Sequence, residues 1–142
     1  MARIQVFLDT DVIISALLSQ KGASFEIVNN PNIKKVISKT IEEELNEVIK
    51  RQGIKKEKTI TEGFKTISLG LTKEKLLESY QELVIDEKDT HVITGAHKSG
   101  SKFLLTHNTK HYKSDEIKNR LDISVLKPGN FLQYLRSQKE NK

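Results

Sequence analysis

The stretch "VFLDTDVIISALL", residues 6–18, decides the fold. It opens inside the apolar run "IQVFL", meets two aspartates, Asp9 and Asp11, and turns apolar again at once. An apolar run without clean polar alternation reads as a strand buried on both faces, the habit of a parallel sheet. "VIISALLS" then reads as a helix, so the acids stand at a strand-to-helix junction. Parallel sheets of this kind bind ligands at the carboxyl ends of their strands, near the point where strand order reverses. Taken alone, Asp9 and Asp11 also suit turn and cap positions before a helix.

Outward from that junction the chain alternates. A second helix is expected in "ASFEIVNN", ending near Pro31, because a residue before proline avoids helical geometry. "IKKVIS" reads as a strand. "SKTIEEELNEVIKRQ" reads as a helix with Ser38 or Thr40 as N-cap and Ile41, Leu45, Val48 and Ile49 at helical spacing. "KEKTITEGFKTISLG" is expected to be helical, with Ile60, Phe64 and Ile67 on one face, as is "TKEKLLESYQELV", closing near Val84. "DEKDTHVITGAHKSG" predicts a further helix with Asp89 as cap and Gly100 as its stop. "KFLLT" and "ISVL" read as strands, "SDEIKNRL" as a short helix, and "NFLQYLRSQ" as a closing helix after a Pro128-Gly129 turn. Strands separated by helices predict one α/β domain over residues 1–142, with helices layered on a parallel sheet.

The 142-residue length suits one core, and 36% hydrophobic with 30% charged residues suits a globular chain rather than a disordered one. Cysteine is absent, which excludes disulfide frameworks, thiolate metal sites and cysteine nucleophiles. The N-terminal apolar run is cut short by acids, and no segment approaches the roughly 18 apolar residues of a membrane span. A cytoplasmic protein without membrane attachment is the expectation.

A net charge of +5 favours an anionic partner. Basic residues dominate "KRQGIKKEK" and the region after Lys110, whereas Asp9, Asp11, the run Glu42–Glu44, Asp86 and Asp89 lie beside expected strand ends or helix starts. With the strands read this way, Asp9, Glu44, Asp89 and the segment Thr106–Asn108 converge on one side of the sheet. Clustered carboxylates repel one another unless a cation joins them or their pKa values rise. Oxygen donors without cysteine point to Mg2+ or Mn2+ rather than zinc.

Together these residues resemble a family, the PIN domains. "FLDTDVIISALLSQKG" is similar to the family's opening, an apolar strand, Asp, Thr or Ser, Asn or Asp, then an apolar helix. "ISKTIEEELNEVI" resembles its second block, and on that match the functional acid is Glu44. "DEKDTHVITGAHKSGSKFLLTHNTKHY" resembles its third and fourth blocks. The resemblance implies a three-layer α/β/α sandwich around a central parallel sheet. It also implies a metal-dependent endoribonuclease for single-stranded RNA, often the toxin of a toxin-antitoxin pair, with an antitoxin protein as partner and a homodimeric state. On that resemblance Asp9 and Asp89 are direct ligands of Mg2+ or Mn2+, and Glu44 binds directly or through water. Thr106 positions a phosphate or a ligand, Asp11 joins it on the substrate side, and Asn108 completes the catalytic group.

The chain departs from the pattern at two positions. Asn108 stands where many relatives carry aspartate, and Asp11 where asparagine is commoner, so a charge lost at one place is regained at the other. That exchange keeps open a second reading, a catalytically weakened PIN-like module that binds RNA or protein. Glu42, Glu43 and Glu47 read as a solvated helix face, and Asp86 as a loop acid or a neighbour of the site. His107 and His111 suit zinc only on a helix, and residues 106–111 read as a loop, which leaves the two for phosphate or substrate. No glycine-flanked serine elbow and no phosphate-cradling glycine loop is present. A phosphoacceptor receiver domain would need a lysine after a late strand, and "KFLLTHN" lacks one.

Overall fold

The architecture is that of a computed structural model, which describes residues 3–54 and 61–140. Five strands run in chain order as β1 Ile4–Leu8, β2 Ile33–Ser38, β3 Lys65–Ile67, β4 Phe103–Leu105 and β5 Ser124–Leu126. Between and after them lie α1 Thr10–Leu18, α2 Ala23–Val28, α3 Lys39–Gln52, α4 Lys73–Tyr80, α5 Thr90–Lys98, α6 Ser114–Leu121 and α7 Pro128–Glu140. The strands form one sheet in the order β3-β2-β1-β4-β5, and every pairing is parallel. This is the α/β sandwich the sequence predicts. Right-handed crossovers put α1, α2 and α3 on one face and α4, α5 and α6 on the other, and α7 returns to pack on α2.

The order reverses between β1 and β4, so the carboxyl ends of those two strands flank the switch point. Val6, Phe7 and Leu8 on β1 and Leu104 and Leu105 on β4 are fully buried, as expected for strands covered on both faces. Helix α5 lies close over β1: a methyl group added at Gly95 would collide with the Phe7 ring. That contact explains the run of small residues in "ITGA" better than helix propensity does, since glycine disfavours a helix interior.

Local signals set the ends of the longest helices. Ser38 caps α3, its hydroxyl accepting from Ile41 N at 3.1 Å, which decides between the two cap candidates. Gly53, at φ 64°, closes the same helix in the left-handed conformation that glycine adopts freely.

Three expectations differ from the structure. Residues 65–67 form an edge strand paired with β2 rather than part of a helix, and Ile60, placed on that helix, lies outside the described residues. Phe64 and Ile67 stand three apart, a spacing that mimics a helical face, while a three-residue strand is too short to show its own period. Pro128 begins α7 instead of making a turn before it, the first helical position being where its missing N–H costs nothing. Asp89 occupies the cap position of α5 without a side-chain capping bond; Asp86 caps the short turn ahead of it, accepting from Lys88 N at 3.0 Å.

An isolated antiparallel bridge pairs Val84 with Tyr112, flanked by Ile85 N to His111 O and Lys113 N to Leu83 O, both 2.9 Å. Among the described residues no helix is long and apolar enough to cross a membrane.

Candidate functional site

Strand β1 ends at Leu8, and Asp9 continues its ladder by donating its backbone N–H to Leu105 O at 3.0 Å. Its side chain is therefore fixed between β1 and β4. Oδ1 accepts from Thr10 N at 2.8 Å, capping α1, and Oδ2 accepts from Thr106 Oγ1 and Tyr112 OH, both at 3.0 Å. All these donors are neutral. Burial pushes the Asp9 carboxyl above the usual range, against the pull of those hydrogen bonds and with help from the charge of Glu44.

Asp11 lies in the first turn of α1, at the same junction, and gathers the loop after β4. It accepts from Asn108 Nδ2 at 3.0 Å, from His107 N at 3.2 Å and from Thr106 Oγ1 at 3.3 Å. Burial, then the Asp9 charge, raises its carboxyl to about 6. The two positions that depart from the family pattern are thus bonded to each other. Thr106 is fully buried, and its one hydroxyl proton serves both Asp9 and Asp11 while its oxygen accepts from Asn108 N at 3.1 Å. The Thr106 hydroxyl is thus committed to the two acids and the loop around it.

Glu44 arrives from α3, in its second turn rather than the first turn that the sequence suggests. Oε1 accepts from Thr10 Oγ1 at 3.0 Å, and Oε2 lies 3.4 Å from His91 Nε2. Burial raises this carboxyl, but the His91 contact and the Thr10 hydroxyl outweigh it and leave the group below its ordinary value. Asp89, free of capping duty, points toward His111, with Oδ2 3.4 Å from Nδ1. Burial and the charge of Asp9 raise the Asp89 carboxyl, and His111 pulls the other way. Asp9, Asp11, Glu44, Asp89, Asn108, His91 and His111 line one open cavity of about 420 Å³. Glu43 and Glu47 face solvent, as does Asp86.

The donor set suits a hard divalent cation. Among the described residues no three acids or histidines already form a metal-holding group. Magnesium, however, is commonly held by one or two carboxylates with water and phosphate oxygens filling the rest of its shell. Raised carboxyls at Asp9 and Asp89, each unfavourable in a neighbouring negative field, are what a cation would relieve.

Sequence reasoning missed Tyr112, His91 and Thr10 as parts of this site. Tyr112 is buried, and its hydroxyl is pushed strongly upward by burial and by Asp9, so it stays a donor. Its signal in the sequence is only the aromatic in "THNTKHY". His97, by contrast, is structural, its Nδ1 2.8 Å from Tyr80 OH.

The comparisons with known proteins agree on the fold. The family model of the PIN domain matches residues 5–110. A toxin-antitoxin complex from Klebsiella pneumoniae contains a chain with TM-score 0.61 and 16% identity, covering 87% of this chain and 97% of that one. VapBC2 from Rickettsia felis, crystallised with a DNA fragment from its promoter, gives TM-score 0.58 and 15% identity over 87% of this chain and 98% of that one. No curated protein matches the sequence.

Proposed function

The chain belongs to the PIN domain family, and from that premise we propose that its residues 1–142 form one cytoplasmic, metal-dependent endoribonuclease domain that hydrolyses single-stranded RNA. The observation that carries the reading is the convergence of Asp9, Glu44 and Asp89, from three separate elements, on one cavity at the switch point of the sheet.

Asp9 and Asp89 would hold Mg2+ or Mn2+, with Glu44 contributing directly or through water. When bound, such an ion would supply positive charge at the scissile phosphate and lower the pKa of a water so that its deprotonation to the attacking nucleophile becomes easy. The chain's own residues do the rest. Tyr112 and Thr106 fix the Asp9 carboxylate by donating to one of its oxygens, which leaves the rotamer no freedom to lose on binding. Thr10 and His91 do the same for Glu44 and keep it ionised. Asp11 pins the loop that presents Asn108 at the cavity, and with its amide committed to Asp11 the Asn108 carbonyl would serve as a neutral oxygen donor to substrate or ion.

The similarity to chains from toxin-antitoxin complexes supports an antitoxin as protein partner, and family habit supports a homodimer. One observation favours a second reading. Asn108 brings no charge, and Asp11 spends its own on the loop, so a PIN-like module with weakened catalysis fits the same geometry.

Cleavage of a fluorogenic single-stranded RNA in manganese separates the two. The nuclease reading expects turnover that stops in EDTA and falls by about a thousandfold or more in Asp9→Asn, on the scale of losing a transition-state electrostatic contact. Metal-independent cleavage, or turnover retained in Asp9→Asn, defeats it.

A further inference from the structure

A second cavity, of about 660 Å³, lies on the far side of the 106–108 turn, lined by Lys21, Glu26, His107, Lys127, Asn130 and Arg136 among others. We propose that it is a binding groove for the phosphate backbone of the same single-stranded RNA whose scissile bond enters the acidic cavity; the proposal rests on the nuclease reading.

Among the described residues the acidic cavity carries four carboxylates with Arg51 as its lone lysine or arginine, so these groups repel a polyanion except where an ion sits. RNA affinity must come from cations placed elsewhere, since phosphate contacts supply most of non-specific binding. The second groove has the reverse balance, three cations against Glu26, and Arg136 approaches that acid only to 4.0 Å. Lys21 and Lys127 are exposed, and among the described residues neither ammonium has an acidic partner. Arginine adds a planar fork that matches phosphate oxygens.

Continuity makes the groove part of one path. His107 lines it while the next residue, Asn108, lines the acidic cavity, so the wall between the two is a single turn of backbone. That turn is held from both sides. His107 N donates to Asp11, and its ring Nε2 lies 3.1 Å from Ser24 Oγ on α2. Lys21 also starts from a fixed backbone, because Ser19 Oγ accepts from Lys21 N at 3.2 Å and donates to Lys21 O at 3.1 Å. A strand leaving the acids over His107 meets Lys127 just ahead of α7, Arg136 on that helix and Lys21 beside α2.

Fluorescence anisotropy with a labelled 12-nucleotide single-stranded RNA in EDTA tests this without cleavage. The triple variant Lys21→Ala/Lys127→Ala/Arg136→Ala is expected to bind about tenfold more weakly at 0.1 M salt. Its log–log salt slope should shrink by about 2, from about 0.7 per phosphate contact on a single strand. In manganese the loss should appear in KM with kcat kept, and Lys127→Arg should bind as wild type does. Unchanged melting temperature confirms that the variant is folded. Wild-type affinity and slope in a triple variant that still cleaves overturn the groove and leave the nuclease standing. RNA binding lost in the variant of a chain that never cleaves leaves the groove standing and defeats the nuclease. A polyglutamate peptide of equal charge that displaces the RNA as effectively as unlabelled RNA does also overturns the proposal, because it marks an acidic protein segment as the occupant.

Discussion

The two ends of the sheet handle carboxylates in opposite ways. At the carboxyl ends of β1 and β4, Asp9 collects two hydroxyls and a backbone N–H, and burial still raises its pKa. At the amino ends of β4 and β5, Asp122 lies between Lys102 and Lys118, each at 2.9 Å, and their hydrogen bonds and charge lower its carboxyl to about 2. Each acid has good geometry; only one has counter-charge. Neutral donors orient a buried carboxylate without balancing it, and that imbalance is what a bound cation would relieve. The exposed, balanced triad at the other end is ordinary surface chemistry.

Three measurements would break or sharpen that contrast. The largest effect is expected from metal. At a Mn2+ concentration a hundredfold above Kd, stabilisation of about 2.7 kcal/mol should raise the wild-type Tm by about 8 °C. Asp9→Asn should show almost none of that rise. A Tm rise equal in both proteins would place the ion somewhere other than the carboxyl ends.

A smaller effect is expected from pH in metal-free protein. Asp11 titrates near 6 when folded against an ordinary 3.8, so the folded state holds its proton more tightly. Its stabilising contribution is full below about pH 4 and is lost as pH rises through 6, and the raised Asp9 and Asp89 act in the same direction. The melting temperature of wild type relative to Asp11→Asn should therefore decline by a few degrees between about pH 4 and pH 6.5. A difference that grows with pH over that window would mean Asp11 is balanced by a cation after all.

The smallest effect belongs to the amino end. Asp122→Asn keeps a residue type that tolerates the φ of 56° at that position and should move Tm by less than about 2 °C, because exposed ion pairs contribute little. A large drop would show that the surface triad, not the buried acids, carries the electrostatic weight of the fold.

Much of this was legible in the residues themselves. The runs "IQVFL" and "IKKVIS" name two strands to the residue, the first by the largely apolar run that burial on both faces leaves, the second by its short β-branched stretch before the helix. Asp9, Glu44 and Asp89 could be gathered on paper because acids at strand ends and helix starts follow from topology. What stayed hidden depends on distant contacts. Tyr112 reaches Asp9 across 103 positions and Thr10 reaches Glu44 across 34, and no local period encodes either bond. Strand β3 was hidden for a different reason: its place comes from β2 beside it, not from its own three residues. Asp89 holds the cap position of α5 and also lines the cavity, and only the missing side-chain capping bond shows where its carboxylate is directed.

The lone bridge between Val84 and Tyr112 has a consequence for how the mouth is sized. Asp89 follows one side of that bridge and His111 belongs to the other, so main-chain atoms set the gap across this part of the rim. Exchanging rim side chains can therefore alter the chemistry of the mouth while the aperture itself keeps its span.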